Sequence, residues 1–488
     1  MTTADAAVHA SVADRRALGK DARERAPLEA HAGWLPPSGR FDPVAVLKAQ
    51  NTTREPDLVP VRHGRMMASA FTFYRGSAAI MAADLAATPT AGLEVQLCGD
   101  AHLSNFGVFA SPERQLLFDL NDFDETLPGP FELDVKRLAA SFAIAARNNQ
   151  FPPSDVTQIC LAVGEAYRLA MADFAQMDTL DVWYSRMSDD DVRAGMESAR
   201  RDFEKEARGT KGTAATDGRS PGVLVKRGEA ALKKARSRTN LQALSKLTEV
   251  VDGRQRIVSQ PPVLIPKREL ESYYGLDAAE IDDAVHQAFE DYTSTLSDTR
   301  RHLLSRYRIV DVARKVVGVG SVGTRGYVAL LEGRDARDPL FLQTKEATRS
   351  VLEAHLAPSR YENPGERVVQ GQQMLQAASD IFLGWSAGLE AGRYYYWRQL
   401  RDMKGSADVE SMVPAGVTYY AKICGWTLAR AHARSGDPVA IAAYLGSKRR
   451  FDKALAEFAE QYADQNDRDY QAFLEAIGSG RIEARQGV

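Results

Sequence analysis

The stretch "CGDAHLSNFG" (residues 98–107) decides how this chain is read, because it sets Asp100, His102 and Asn105 in one short loop at the end of an alternating run, "GLEVQLCGD". Polar loops commonly satisfy backbone groups or face water. Here a second apolar run, "QLLFDLNDFDE" (residues 115–125), comes directly after and carries Asp119 and Asp122. An Asp and an Asn with four residues between them can divide the work of phosphoryl transfer. The Asp orients or deprotonates a hydroxyl, and the Asn carbonyl ligates Mg²⁺. A further carboxylate completes the oxygen shell of a hard cation that keeps water and phosphate oxygens for its other positions. Asp119 is placed for that role, with Asp122 three residues on. The competing reading is a polar hairpin whose Asp and Asn cap turns.

A second segment, "RKVVGVGSVGTRGYVALLEG" (residues 314–333), reads as two strands around a glycine-rich turn. Gly318, Gly320 and Gly323 fit G-x-G-x-x-G, a spacing that lets backbone amides approach phosphate. The run after the turn is strand-like, whereas a dinucleotide-binding turn opens a helix. A strand–glycine turn–strand is what a phosphate-covering loop of the kinase type requires. A glycine hairpin without a ligand is the plain alternative. Lys345 closes the next apolar run, "DPLFLQTKEA", where an inward lysine can neutralise phosphate as a point charge. A helix-like "ERVVQGQQMLQAAS" and two apolar runs, "DIFLGWSAG" and "RYYYWRQL", complete this region.

Together these segments resemble the protein-kinase superfold, and most closely its aminoglycoside and choline phosphotransferase branch. The catalytic loop of that branch reads roughly H-G-D-x-H-x-x-N, and "CGDAHLSN" matches it through Gly99, Asp100, His102 and Asn105, with Cys98 replacing the first His. "FDLND" and "PFELDVKRLAASF" resemble the metal-binding and subsequent helical segments. The resemblance implies a catalytic loop of Asp100, His102 and Asn105, with Asp100 as base. It implies Asn105, Asp119 and Asp122 as metal ligands and Asp134 as an anchor. Gly318, Gly320, Ser321, Gly323 and Lys345 would hold ATP, with Mg²⁺ as the second cofactor. "YYYWRQLRDMKGS" (residues 394–406) would be the hinge beside the adenine, bringing in Gln399 and Arg401. The acid that pairs with Lys345 is open: Glu346, Glu353 and Glu366 are candidates, and the next helix offers Gln370, Gln372 and Gln373. The whole chain also resembles a bacterial family known only as a domain of unknown function, which names no substrate.

In an ordinary kinase the glycine turn precedes the catalytic loop, and here it comes second. The expectation is an α+β, bilobal, circularly permuted kinase-like fold with a mostly helical large lobe and a five-stranded small lobe. Such permutation is cheap where chain ends lie close at the surface. The expected division is an N-terminal arm (1–55), a large lobe with a helical insert (56–306), a small lobe (307–406) and C-terminal helices completing the large lobe (407–488). One helix is expected from Met66 to Ala87, on the spacing of Phe71, Tyr74, Ala78, Met81 and Leu85. Residues 150–300 lie outside the resemblance.

The 488 residues carry a net charge of −3, too small to draw the chain to nucleic acid or an anionic membrane. The basic segment Lys226–Arg238 reads as a solvated helix face rather than a polyanion-binding arm. Cys98, Cys160 and Cys424 form neither a disulfide framework nor a zinc spacing. Neither a secretory h-region nor a run of ~18 apolar residues is present, so a reducing cytoplasm is the expected compartment and no membrane partner is expected. The expected activity is ATP- and Mg²⁺-dependent phosphoryl transfer to a hydroxyl of a small molecule or protein. Nucleotidyl transfer at the same site and a nucleotide-binding scaffold without turnover are the alternatives. Arg62, Arg65 and Arg75 could bind an anionic acceptor; pairing with surface carboxylates is the preferred reading.

Overall fold

The computed structural model describes residues 10–209, 221–251, 253–270, 275, 277–316, 318–388, 390–400 and 403–487. The alternation at 93–97 forms β1 (Glu94–Leu97), and the runs flanking the Ser-Pro-Glu-Arg turn form the hairpin β2 (Phe106–Ala110) and β3 (Leu116–Leu120). β4 (Leu127–Pro130) returns antiparallel to β1, so the two chemistry-bearing turns, 98–105 and 121–126, lie side by side. The short β5 (Met187–Ser188) borders β3, and β6 (Thr248–Val251) pairs only with β7 (Arg254–Ile257).

The largest sheet is antiparallel and has six strands, not five. It contains β8 (Leu264–Pro266), β9 (Arg308–Lys315), β10 (Gly326–Glu332), β11 (Pro339–Ala347), β12 (Gly384–Ala387) and β13 (Tyr394–Gln399), in the order β12-β13-β11-β10-β9-β8. The extra edge strand comes from the segment expected to be a large-lobe insert. Ile265 pairs with Arg314, and both Leu264 and Ile265 are buried. β11 lies inside the sheet and is buried at every residue, which is why it reads as a nearly unbroken apolar run. Near its end, Thr344 to Glu346 bring polar side chains to the sheet's edge. A two-residue β14 (Gly405–Ser406) pairs with β2 and ties the chain leaving β13 to the β2–β3 hairpin.

The second layer is helical. Helix Glu132–Asn148 opens with Glu132 and Asp134 in its first turn, where acids suit the helix dipole. It packs with helices Pro153–Phe174, Pro414–Ser435 and Arg450–Gly478 around one core, in which the Phe131 and Tyr167 rings stack 5.9 Å apart. Helices 153–174 and 414–435 cross closely because Gly425 has no side chain: a Cβ there would lie 2.7 Å from the Val163 carbonyl oxygen.

Three further expectations are corrected. Residues 11–55 are part of the body rather than an arm: Trp34 meets Tyr462 edge-on at 5.2 Å, and Arg40 bridges Asp84 and Asp469 at 2.7 Å each. The single helix of residues 66–87 is instead broken into Val59–Met66, Ala70–Gly76 and Ala78–Leu85, because Ser69 forms a capping box with Thr72 and starts a new helix. Residues 150–300 divide. Helices Asn240–Leu247 and Ala278–Ser294 pack on the six-stranded sheet, the latter stacking Tyr292 on Trp397 at 4.7 Å, while helices Pro153–Phe174, Asp189–Gly209 and Pro221–Arg236 join the helical layer. Helix Pro221–Arg236 buries Leu232 and Ala235 and leaves Lys233 and Lys234 exposed, as a solvated face should. No helix among the described residues is long and apolar enough to cross a membrane.

Candidate active site

The loop after β1 is pinned from several sides. Asp134 accepts from the backbone N–H of Cys98 (2.7 Å) and Gly99 (3.0 Å), and the N–H of Leu103 reaches the Ser141 hydroxyl (3.0 Å). Gly99 has φ +84°, and a Cβ there would lie 2.1 Å from the Glu125 carbonyl oxygen, so only glycine lets the two turns touch. The side chains of Asp100, His102 and Asn105 then line one cleft together with Asp122, Asp124, Glu125, Gly318, Gly320 and Ser321. The cleft has a cavity of about 130 Å³.

Asp100 is one-fifth exposed and accepts from Arg137 Nε at 2.8 Å, an ion pair that fixes one carboxylate oxygen. Asn105 donates its Nδ2 to the Asp100 carbonyl at 2.8 Å, which leaves Oδ1 as the side-chain atom able to bind a cation. His102 stands 3.7 Å from Asp100, but burial pushes its imidazole down to about 3. It is neutral near pH 7.

Asp119 is the main correction to the sequence reading. Its side chain points away from the cleft into the core, where Arg430 Nη2 lies 2.5 Å from Oδ1 and both partners are 1% exposed. Oδ1 also accepts from its neighbour Leu120 N–H (2.9 Å), and Oδ2 accepts from Ala377 N–H (2.9 Å). Buried in the core against Arg430 and absent from the cleft lining, this carboxylate is out of reach of a metal held there. The turn beyond the strand supplies the acids instead. Lys345 Nζ is 2.6 Å from Asp124 Oδ2 and 3.7 Å from Asp122 Oδ1, and the Tyr396 hydroxyl donates to Asp124 Oδ1 at 2.7 Å. Burial raises the Asp122 carboxyl above its ordinary range, and the neighbouring Asp124 adds to this. Burial acts the same way on Asp124, but Lys345 and Tyr396 outweigh it and hold Asp124 low. Lys345 is buried as well, yet the two carboxylates raise its ammonium above the ordinary value. Asp122 Oδ1 is buried and has no hydrogen bond.

None of the three glutamates proposed for Lys345 pairs with it. Glu346 faces Arg325 and Arg393, at 3.5 and 2.8 Å. Glu353 caps its own turn by accepting from Ser350 N–H, and Glu366 opens helix Pro364–Leu375. That helix directs Arg367 at the carbonyls of Thr126, Asp124 and Thr348 and links Gln372 to Gln376. Asp124 and Glu125 were not singled out from sequence, although "NDFDE" places them directly after Asp122. Burial pushes Glu125 up to about 7 despite Arg367 nearby, and its Oε2 accepts from Val351 N–H.

The glycine turn closes the opposite wall. Gly318 and Gly323 have φ +72° and +90°, and the turn's carbonyls are held from the N-terminal side: Arg65 donates to Gly318, Arg54 to Val322 (both 2.6 Å) and Glu55 N–H to Gly323 (2.8 Å). Gly323 packs on Arg54 rather than lining the cleft. Gln399 is not brought to it either. Its N–H donates to Asp380, and it borders a small separate cavity with Arg398 and Lys404. Arg401 lies outside the described residues. Among those residues no three His, Cys, Asp or Glu side chains form a ready-made metal cluster.

The fold and site thus define an α+β protein with a charged cleft between a glycine turn and two acid-bearing turns. The chain belongs to the bacterial family described as "Uncharacterized protein conserved in bacteria (DUF2252)", whose model matches residues 54–476. No curated protein and no solved structure matches it.

Proposed function

We propose that the cleft binds Mg²⁺–ATP and transfers its γ-phosphoryl group to a hydroxyl, on a circularly permuted kinase-like scaffold. The observation that carries this reading is Lys345. On the interior strand β11 it meets Asp124, 221 positions earlier, and Asp124 lines the cleft with Asp100 and Asn105. The order glycine turn, lysine strand, helix and two further strands, all in one sheet, supports the resemblance to the kinase superfold.

The residues fit a magnesium site of the sparse kind, in which one or two protein oxygens suffice. Asp122, with an oxygen lacking any hydrogen bond, and Asn105, with Oδ1 left over, would hold the ion. Magnesium would neutralise charge on the transferring phosphoryl group. Asp124 does for Lys345 what an acid on the neighbouring helix does elsewhere in the superfold: it holds the ammonium in the cleft, with Tyr396 holding Asp124 in turn. Asp100, fixed by Arg137, accepts the acceptor's proton as its oxygen bonds to phosphorus and the bond to the β-phosphate oxygen breaks, releasing ADP. The amides of the glycine turn cover the phosphates.

Calorimetric titration of ATP, with and without Mg²⁺, tests the site on the parent and on Lys345→Ala and Asp122→Ala. Metal-dependent binding that both changes weaken is expected, and a parent that binds no ATP overturns the reading. Label transferred from γ-labelled ATP separates phosphoryl transfer from nucleotidyl transfer, which would move label from α-labelled ATP. Binding without either transfer would leave a nucleotide-binding scaffold.

A further inference from the structure

Buried arginines in this protein commonly have a carboxylate. Arg40, Arg137, Arg168, Arg314 and Arg430 each lie within 2.5–2.8 Å of one. Among the described residues Arg54, Arg62 and Arg75 do not, and all three line the cleft together with Asp100; buried Arg367 has no carboxylate either, but its guanidinium is taken up by three backbone carbonyls. Arg62 is wholly buried and donates only to neutral acceptors, Asn51 Oδ1 (2.8 Å), Gln50 Oε1 (3.3 Å) and the Gly76 carbonyl (2.7 Å). Arg54 donates to the Val322 carbonyl. Arg75, at the end of helix Ala70–Gly76, has no ion pair among the described residues. In all three the Nε is buried without a hydrogen bond. The surface pairing preferred from sequence for Arg62 and Arg75 is therefore corrected: neither is a surface residue with a surface partner.

An unpaired buried charge costs several kcal/mol, and burial pulls all three guanidiniums below their ordinary range, Arg54 to about 10. A fork of N–H donors is matched by the oxygens of a phosphate or carboxylate. The nucleotide's phosphates already have Lys345 and the candidate metal ligands Asp122 and Asn105, while the glycine turn packs against the arginine wall, with Arg54 donating to the Val322 carbonyl. Arg75 lines the same cleft as Asp100, the residue that receives the acceptor hydroxyl, and Asp100 leads the carboxylates whose field opposes the effect of burial on it.

We infer that the Arg54–Arg62–Arg75 wall binds an anionic group of the acceptor, so that the substrate is a hydroxyl compound bearing a phosphate or carboxylate. This rests on the phosphotransfer reading for the word acceptor, while the anion site itself does not. The test uses the full chain loaded with Mg²⁺ and a non-hydrolysable ATP analogue, titrated with inorganic phosphate, and compares the parent with Arg75→Gln and Arg75→Lys. The expected result is phosphate binding that weakens at least about tenfold in Arg75→Gln and is partly restored in Arg75→Lys, with analogue affinity changed less than about twofold. Circular dichroism and thermal unfolding identify a variant that has merely lost its fold, and Arg54→Gln then replaces it. Phosphate binding unchanged by both substitutions overturns the anion site. A loss of analogue affinity, with no phosphate bound to the loaded protein, assigns the wall to the nucleotide and overturns the acceptor role. If the parent binds no analogue but binds phosphate through Arg75, the phosphotransfer reading fails, the acceptor role fails with it, and the anion site alone stands.

Discussion

Two aspartates three residues apart do opposite things. Asp119 ends its path in the core against Arg430, with both oxygens occupied and both side chains 1% exposed. Asp122 lies past the end of β3, one-third exposed, its Oδ1 facing Lys345 at 3.7 Å and without a hydrogen bond among the described residues. The same side chain is a rivet where the strand still runs and lines the cleft where it has stopped. Inside β3 each position is committed to a face of the sheet, whereas the turn after it is free to present its acids to the cleft.

The largest effect should come from the rivet. Arg430→Ala leaves Asp119 charged and buried without a partner and is expected to cost about 3–5 kcal/mol of stability, read by urea unfolding. Retained stability with loss of nucleotide binding would break the contrast, because Arg430 would then belong to the cleft. Asp122→Asn should behave in the reverse way: phosphoryl transfer falls at least about a hundredfold, while stability shifts by less than about 1 kcal/mol. An unchanged rate would return the metal role to some other acid. Tyr396→Phe removes one hydrogen bond to a charged group, worth about 1.5–3 kcal/mol at most, and should weaken Mg²⁺–ATP binding more than it lowers the melting temperature.

Much of this was legible where the signal is local. The alternation at 93–97 shows a period of two, and the apolar runs flanking the Ser-Pro-Glu-Arg turn and the glycine turn at Gly318–Gly323 are bounded by turn residues; each forms strands as expected. The loop of Asp100 and Asn105 was legible for the same reason. What could not be read depends on distance along the chain. Nothing near Lys345 indicates Asp124, and nothing near Asp119 indicates Arg430, 311 positions away. Trp34 and Arg40 belong to the core only because residues near 460–470 receive them. β8 is three residues long behind two prolines, too short to show any period. The choice between Asp119 and Asp122 was partly visible, since a lone acid flanked by Phe118 and Leu120 has little access to water.

The smallest effect sharpens the comparison by pH. His102 in the cleft and His31 in the core are both pushed down to about 3 by burial. Their unfolded imidazoles take up protons near 6.5, so between 6.5 and 3 the unfolded chain binds more protons and these two residues make stability fall as pH falls. Replacing either with Gln should flatten that slope in urea titrations, His31 without touching activity. If His102→Gln also removes a limb of the rate profile near neutrality, His102 carries protons in the reaction.

The crossing of helices 153–174 and 414–435 has a consequence for how the molecule comes into being. The groove that receives Gly425 is made of Val163 and Ala166, synthesised some 260 positions earlier. On the ribosome, helix 153–174 must wait with its apolar face uncovered until the whole six-stranded sheet has emerged. Closure of the helical core is therefore a late event with a long loop to gather, the kind of topology that folds slowly and leaves sticky surface exposed meanwhile. The sheet can assemble first, and Asp119 meets Arg430 only when the helix bearing it docks, so the acid turns of the cleft are set in place as the last helices arrive.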